Sequence, residues 1–323
     1  MITRRLVLGA AGAALAAPSL RAQGAWPDKP LRFIIGGAAG GVSDIFLRMM
    51  ENRLREKLGQ PLIIDPRPGA GGMVGAELTA RAAPDGYTYY VNHIASHGIG
   101  PTLYRRLSFD PLKDLPGVAR IAAMPNVLIV KADGPVKTVQ ELVAFCRANP
   151  SRANFSSAGS GTSSHLSGLL FGMRMGIEVT HVPYRGTAPS MAAVLNGEVL
   201  FNIDNAPVSR QQVLSGMLRA LGVSTARRVS TMPELAPLQD QGVPDFDVAS
   251  WYGVAAPSGV PAAIRERLGA EIVAALEDPA IAARLRDYGA EPWPLGPAAF
   301  DAFMREEVAK WAPVVRASGA QID

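Results

Sequence analysis

From residue 31 onward, short apolar runs alternate with longer stretches in which apolar residues return every three to four positions. The first pattern suits strands buried on both faces, and the second suits helices with one buried side. The runs LRFII (31–35), PLIID (61–65), YTYYV (87–91), NVLIV (126–130) and ANFSS (153–157) predict strands. So do EVTHV (178–182), VLFNI (199–203), LRALGV (218–223) and VASWYGVAA (248–256). Helical spacing predicts helices over 44–58, 73–82, 138–148, 164–175, 188–196, 261–276 and 297–317. Several open on Ser, Thr or Asp and close on Gly or Pro, as the unpaired amides and carbonyls of helix ends require. Strands alternating with helices are the mark of βα units around a mostly parallel sheet, so the fold class is α/β.

The first 22 residues, MITRRLVLGAAGAALAAPSLRA, break this pattern: two adjacent arginines, an apolar stretch and no acid. That is the make-up of an export signal. The apolar run 6–17 is shorter than the ~20 residues a bilayer demands, and no later segment approaches that length. The order Thr3-Arg4-Arg5-Leu6-Val7-Leu8 resembles a twin-arginine signal, with a Sec signal as the alternative. Small residues at Ala22 and Ala25 place the mature start near Gln23 or Trp26.

At 323 residues and 48% hydrophobic, the chain has room for about two domains. Its 32 Lys and Arg against 28 Asp and Glu shrink to 29 against 28 once Arg4, Arg5 and Arg21 leave with the signal. A balance so close to neutral, with no basic run, argues against nucleic acid as a partner. The single cysteine, Cys146, cannot form an internal disulfide and falls at helical spacing with Val139, Leu142 and Val143. It reads as a buried small side chain.

Two stretches open alike. LRFIIGGAAGGVSD and ANFSSAGSGTSSH each run strand, glycine-rich loop, serine, helix, about 120 residues apart. Such a turn leaves backbone amides unpaired and pointing one way at the positive end of a helix dipole, where an anion can sit. The dinucleotide fingerprint G-x-G-x-x-G fails in the second loop because Ser164 stands at the third glycine. No G-x-x-x-x-G-K-[ST] and no G-x-S-x-G occur, which leaves Ser164 beside His165 as a weak nucleophile pair. His93 and His97 have i, i+4 spacing without a carboxylate partner and read as hydrogen-bonded loop histidines rather than metal ligands.

A further loop, HVPYRGTAPS (181–190), offers the Tyr184 ring and hydroxyl, and Thr187 to start a helix. Arg185 there either pairs with a carboxylate or stays solvated. Asp204 and Asn205 end another strand; Asp204 either receives a ligand amine or hydroxyl or caps the helix near Pro207. Loops at the carboxyl ends of α/β strands gather into one crevice. Two anion cradles on facing lobes could grip a small acid at both ends and close over it.

Taken in order, WPDKPLRFIIGGAAGGVSD, RPGAGGMVGAELTARAAPDGYTYY, LSFDPLKDLPGVARI, FSSAGSGTSSHLSGLLF, VTHVPYRGTAPSMAAVLNGEV and WYGVAAPSGVP resemble the receptor family of tripartite tricarboxylate transporters, the Bug or TctC-like periplasmic solute-binding proteins. The resemblance implies two α/β lobes joined by crossing strands, 26–124 with 252–323 forming one and 125–251 the other. It implies a ligand carboxylate held by backbone amides in the cleft, first by Ala38, Ala39, Gly40, Gly41, Ser43 and Asp44. The second cradle would be Ser157, Ala158, Gly159, Ser160, Gly161, Thr162 and Ser163, with Tyr184, Gly186 and Thr187 beside it and Asp204 at the far wall. The expected role is that of a periplasmic monomer, not an enzyme, which needs no cofactor or metal and delivers a mono-, di- or tricarboxylate to a membrane permease. An exported sensor addressing a membrane kinase would use the same cleft, and an exported hydrolase acting through Ser163 or Ser164 with His165 is the third alternative. Two departures from the family pattern stand out: Pro66 where an asparagine is common, and a first loop, AAGGVSD, without the proline that often precedes its glycines.

Overall fold

The computed structural model describes residues 26–322, so the expected export signal lies outside them. The fold opens on three parallel strands, β1 (Leu31–Ile35), β2 (Leu62–Pro66) and β3 (Thr88–His93), with β1 between the other two. Leu31, Phe33, Ile34 and Ile35 are all buried, as a strand covered on both faces requires, while Arg32, the one polar residue of the run, is half-buried against Asp65. Helices α1 (Val42–Leu58) and α2 (Met73–Ala80) make the crossovers. A π-helix at Ile94–Ile99 runs into α3 (Gly100–Leu103), and α4 (Pro111–Asp114) follows, started by the Asp110 carboxylate, which accepts from the amides of Leu112 and Lys113.

Next comes β4 (Gly117–Lys131), 15 residues long and buried almost throughout. Beyond it lie α5 (Val139–Ala148), β5 (Asn154–Ser157), α6 (Ser163–Met175), β6 (Thr180–Pro183), α7 (Thr187–Asn196), β7 (Phe201–Asn205), α8 (Ala206–Leu214) and β8 (Leu218–Val223). The chain returns through β9 (Ala249–Ala255) to α9 (Ala262–Leu276), α10 (Pro279–Asp287), β10 (Glu291–Leu295) and α11 (Pro297–Ser318).

Strand order is β2-β1-β3-β9-β4-β7-β5-β6, with β8 and β10 also paired to β4. The first half of β4 pairs antiparallel with β9 and β10, and its second half with β7 and β8. The change falls between Pro125, opposite Ala249, and Asn126, opposite Asn205. The mostly parallel sheet expected from the βα rhythm is therefore mixed: β1–β3 and β5–β7 form parallel sets, while every pairing made by β4 and β9 is antiparallel. Alternation of strand and helix cannot reveal this, because β4 and β9 pass from one parallel set to the other and meet neighbours that are remote in sequence.

Only 126–130 of β4 was expected as strand. Its first half, GVARIAAM, is too rich in alanine to read as one, yet small residues are what the packing admits there: a Cβ on Gly117 would lie 2.6 Å from the Phe300 ring. Neither α10 nor β10 was anticipated, since EPWPL carries two prolines, which suit an edge position rather than a sheet interior. His93 ends β3 and His97 lies within the π-helix, so neither is a loop residue. Cys146 is buried, as its spacing predicts. No helix among the described residues is long and apolar enough to cross a membrane.

Beneath the crossing strands, the Glu307 carboxylate is 3% exposed and accepts from the indole nitrogens of Trp251 at 2.8 Å and Trp311 at 3.1 Å, with Lys310 as its ion pair. Glu307→Gln keeps an acceptor for the indoles but removes the charge facing Lys310. Urea denaturation is expected to show a loss of ~1–2 kcal/mol, with a shift in tryptophan emission.

Candidate functional site

Strand β1 delivers the chain at Ile35 into the first glycine loop. Gly36 is required by approach: a Cβ there would lie 2.5 Å from the Gly72 Cα and 2.6 Å from the Tyr90 hydroxyl, so two loop backbones touch. Within the loop, Gly41 N–H donates to the Ala38 carbonyl at 3.1 Å, and Gly40 N–H to the Asp44 carboxylate at 2.7 Å. Asp44 is buried, and its other oxygen faces Arg48 Nε at 2.8 Å. Its carboxylate thus holds the loop closed and uses one of the cradle's amides itself. Helix α1 then starts at Val42 with no side-chain cap, so the amides of Val42, Ser43 and Asp44 lie beyond the reach of any intrahelical acceptor.

Val42 and Ser43 of this turn border a cavity of about 320 Å³. From the expected first cradle, Ala38, Gly41 and Ser43 line it; Ala39, Gly40 and Asp44 do not. The opposite wall is the stretch Gly69-Ala70-Gly71-Gly72, with His93 and Tyr252 between. Sequence reasoning passed over this wall, although its signal was present: GAGG directly before the helix at Met73 is a third glycine-rich loop entering a helix. Ala70, Gly71 and Gly72 all have positive φ, at 47°, 60° and 94°.

The His93 and Tyr252 rings are 5.8 Å apart, and Tyr252 meets Phe46 edge-on at 5.3 Å. Burial lowers the His93 pKa to about 4 and pushes the Tyr252 phenol upward, so both are neutral near pH 7. No lysine or arginine lines the cavity. An anion held here would be held by amide dipoles, not by a counter-ion.

The second loop is closed upon itself to a greater degree. Ala158 N–H donates to Ser164 Oγ, Gly159 N–H to Ser157 Oγ and Gly161 N–H to His165 Nδ1, each at 3.1 Å, while Thr162 N–H reaches the Gly159 carbonyl at 3.3 Å. Thr162 caps α6 by accepting from His165 N–H. Only the amides of Ser163 and Ser164, in the first helical turn, are left over by the helix. Ser164 Oγ is committed to Ala158 and Thr162, and His165 Nδ1 to Gly161, so the two side chains do not form a nucleophile–base pair.

The His165 ring stacks on His181 at 3.8 Å, and His181 Nε2 shares a 2.6 Å hydrogen bond with Ser157 Oγ. Burial lowers the pKa of each ring to about 4, with the other histidine a further cause for His165. Ser160 and Gly161 line a different cavity, of about 300 Å³, together with His165, His181 and the chain end at Ser318–Ile322. The two loops thus border separate cavities.

What links them is β9. Ser250 Oγ donates to Ser163 Oγ at 3.1 Å, and Tyr252, two residues on and ~7 Å along the same strand face, forms the wall of the first cavity. The start of α6 is thereby tied to the strand that carries Tyr252 into the wall of the first cavity.

Of the remaining expected residues, Gly186 ties the third loop to the second through its amide, which donates to the Ala158 carbonyl at 3.1 Å, and Thr187 begins α7. Tyr184 turns its hydroxyl to Glu198 at 3.3 Å. Arg185 is exposed and makes no ion pair among the described residues. Asp204 is 6% exposed, accepts from the Asn205 amide at 2.8 Å, and has its pKa raised to about 6 by burial. It does not cap the helix near Pro207: α8 starts at Ala206 without a side-chain cap. Pro66 ends β2, at the sheet edge where a missing N–H is tolerated. Beside it, Asp65 pairs with Arg32 and Arg67. No group of three or more His, Cys, Asp or Glu among the described residues could hold a metal ion.

A family model described as the tripartite tricarboxylate transporter family receptor matches residues 46–320. A protein encoded in the tcbD–tcbE intergenic region of Pseudomonas sp. strain P51 is 33% identical over 97% of this chain and 94% of its own length. BugT of Bordetella pertussis is 31% identical over 92% and 91%. Among solved structures, R. palustris Rpa4515 with adipate is 33% identical, covers 92% of this chain and 100% of that chain, and superposes with a TM-score of 0.78. MatC from Rhodopseudomonas palustris with bound malate is 30% identical, covers 90% and 100%, and gives 0.72.

Proposed function

The chain belongs to the tripartite tricarboxylate transporter receptor family, and from that premise we propose that it captures a small carboxylate between two lobes and hands it unchanged to a membrane permease. The family is one of periplasmic solute-binding receptors, and the proposed site of action is the periplasm, reached through the Tat-like or Sec signal. The lobes we propose are 26–124 with 252–323, and 125–251; the change of β4's partners at Pro125–Asn126 supports this division. The observation that carries the reading is the uncapped start of α1 on a cavity wall without a cation, with the start of α6 tethered alongside through Ser250 and Ser163. Such a place rewards a carboxylate and offers no activated nucleophile to transform it. Adipate and malate, bound by the two R. palustris relatives, support a dicarboxylate first among the candidates.

Calorimetry against mono-, di- and tricarboxylates, each beside its neutral amide, tests this. At least one acid is expected to bind and its amide to fail, because an amide nitrogen cannot accept from backbone N–H groups. A broad panel in which no acid binds removes the proposal. Ester hydrolysis that disappears in Ser164→Ala would instead reinstate the hydrolase.

A further inference from the structure

We propose that the cavity between α8 and α10 is a second binding site, separate from the carboxylate cavity, for a small oxyanion carrying two or more negative charges. Its volume is about 420 Å³, within the range of small-molecule sites. Three segments remote in sequence build it: the first turns of α8 with Arg210, the stretch Ser230–Met232, and Arg286–Gly289 at the end of α10.

Its chemistry is the opposite of the first cavity's. Arg210 makes no ion pair among the described residues. Among the described residues Arg286 pairs only with the Glu291 carboxylate, at 3.9 Å, and the other oxygen of that carboxylate already accepts from Ser230 Oγ at 2.7 Å and Thr231 N–H at 3.0 Å. Asp287 is the one acid lining the cavity, and with Glu291 set against Arg286, Arg210 is the guanidinium left without an ion pair among the described residues. Thr231 Oγ1 lacks a hydrogen-bond partner but is shut off from solvent, so the guanidinium groups are the donors that reach the cavity. Helix α8, nine residues long and without a side-chain cap, adds the positive end of its dipole. Guanidinium groups present forked donors that match carboxylate and phosphate oxygens alike.

The position gives the site a consequence. Helix α8 follows β7 and α10 precedes β10, so the walls come from elements joined to the second and the first half of β4. They already meet closely: a Cβ on Gly289, at φ 89°, would lie 2.4 Å from the Pro207 ring. An anion bridging Arg210 and Arg286 ties these two sides together. From Tyr288 on the cavity wall, aromatic contacts lead through Phe46 at 5.9 Å to Tyr252 in the carboxylate cavity at 5.3 Å.

The test uses the mature chain with two probes, inorganic phosphate and citrate, and chloride at equal ionic strength as control. Phosphate, citrate or both are expected to raise the melting temperature where chloride does not, and whichever acts identifies the oxyanion class. Arg210→Ala and Arg286→Ala, both at exposed positions, are each expected to weaken that binding about tenfold, while the acid found by the calorimetric panel still binds. Equal shifts from chloride, no shift from either probe, or full retention of binding in the double variant would each overturn the proposal. Because the panel acid is measured in the same variants, failure here is distinguishable from failure of the carboxylate site.

Discussion

Gly72→Ala is expected to lower the melting temperature by ~5–15 °C and to abolish carboxylate binding in whatever protein remains folded. The residue has φ 94°, and an added Cβ would lie 2.5 Å from the Tyr90 hydroxyl and 2.9 Å from His93 Nε2. Neither neighbour can yield easily. Tyr90 is fully buried and donates to the Gly72 carbonyl itself at 2.8 Å, while His93 is backed by Tyr252. Backbone strain of ~1–3 kcal/mol and overpacking of a similar size therefore add, and relief comes only by driving His93 into the cavity. Gly37→Ala is the control: a Cβ there meets nothing within 4 Å, so the fold should melt near the wild-type temperature while affinity falls, since Gly37 lines the cavity. Wild-type melting of Gly72→Ala would contradict the close approach of the two glycine loops.

Acid should unfold the protein well above the pH at which carboxylates protonate. All four histidines have pKa values lowered by burial from 6.5, to about 4 for His93, His165 and His181 and to about 3 for His97. Depressed values mean that the unfolded chain takes up protons which the folded chain refuses. Stability is fully present above pH 6.5 and is lost as pH falls from there toward 4. Near pH 5, each ring that stays neutral costs about 2 kcal/mol, so His93 and His97 together approach ~4 kcal/mol, a large part of an ordinary domain's stability. Asp204 acts the other way. Its pKa is raised to about 6, so its burial penalty fades as pH drops through that value, and it returns ~1 kcal/mol over the same interval. Urea midpoints at pH 7, 6 and 5 should fall steadily; a flat profile would mean that the histidines are not buried as described. Substituting Asn for His165 should flatten part of the slope, because a neutral amide has no proton to gain.

Legibility varied with the range of the forces involved. Strands such as 31–35 and 218–223 were readable to the residue, because an apolar run bounded by turn residues is a local property. The entrance of the chain into α1 and α6 was readable for the same reason, since a strand end, a glycine turn and a serine fix the direction of a few consecutive amides. Half of β4 was hidden, because its alanine-rich start carries no strand signal of its own, and the close fit of Gly117 against Phe300 depends on α11, nearly two hundred residues later. The Gly69–Gly72 wall was hidden in another sense: its glycines were visible, but nothing local says that they face the first loop.

By itself, the sequence determined that this protein is an α/β chain with glycine loops leading into helix starts, and that its motifs fit an anion receptor better than a nucleotide enzyme. Tertiary structure alone decided which amides remain available. Asp44 takes the amide of Gly40, Ser164 that of Ala158, Ser157 that of Gly159 and His165 that of Gly161, so these four are lost to a ligand while the first turns of α1 and α6 keep theirs. A loop's composition fixes how many N–H groups it exposes, but their partners depend on where packing points each side chain. The strand that touches both helix starts, through Ser250 to Ser163 of α6 and through Tyr252 to the cavity at α1, is β9, paired with both β3 and β4, a long-range arrangement to which no stretch of neighbouring residues is sensitive.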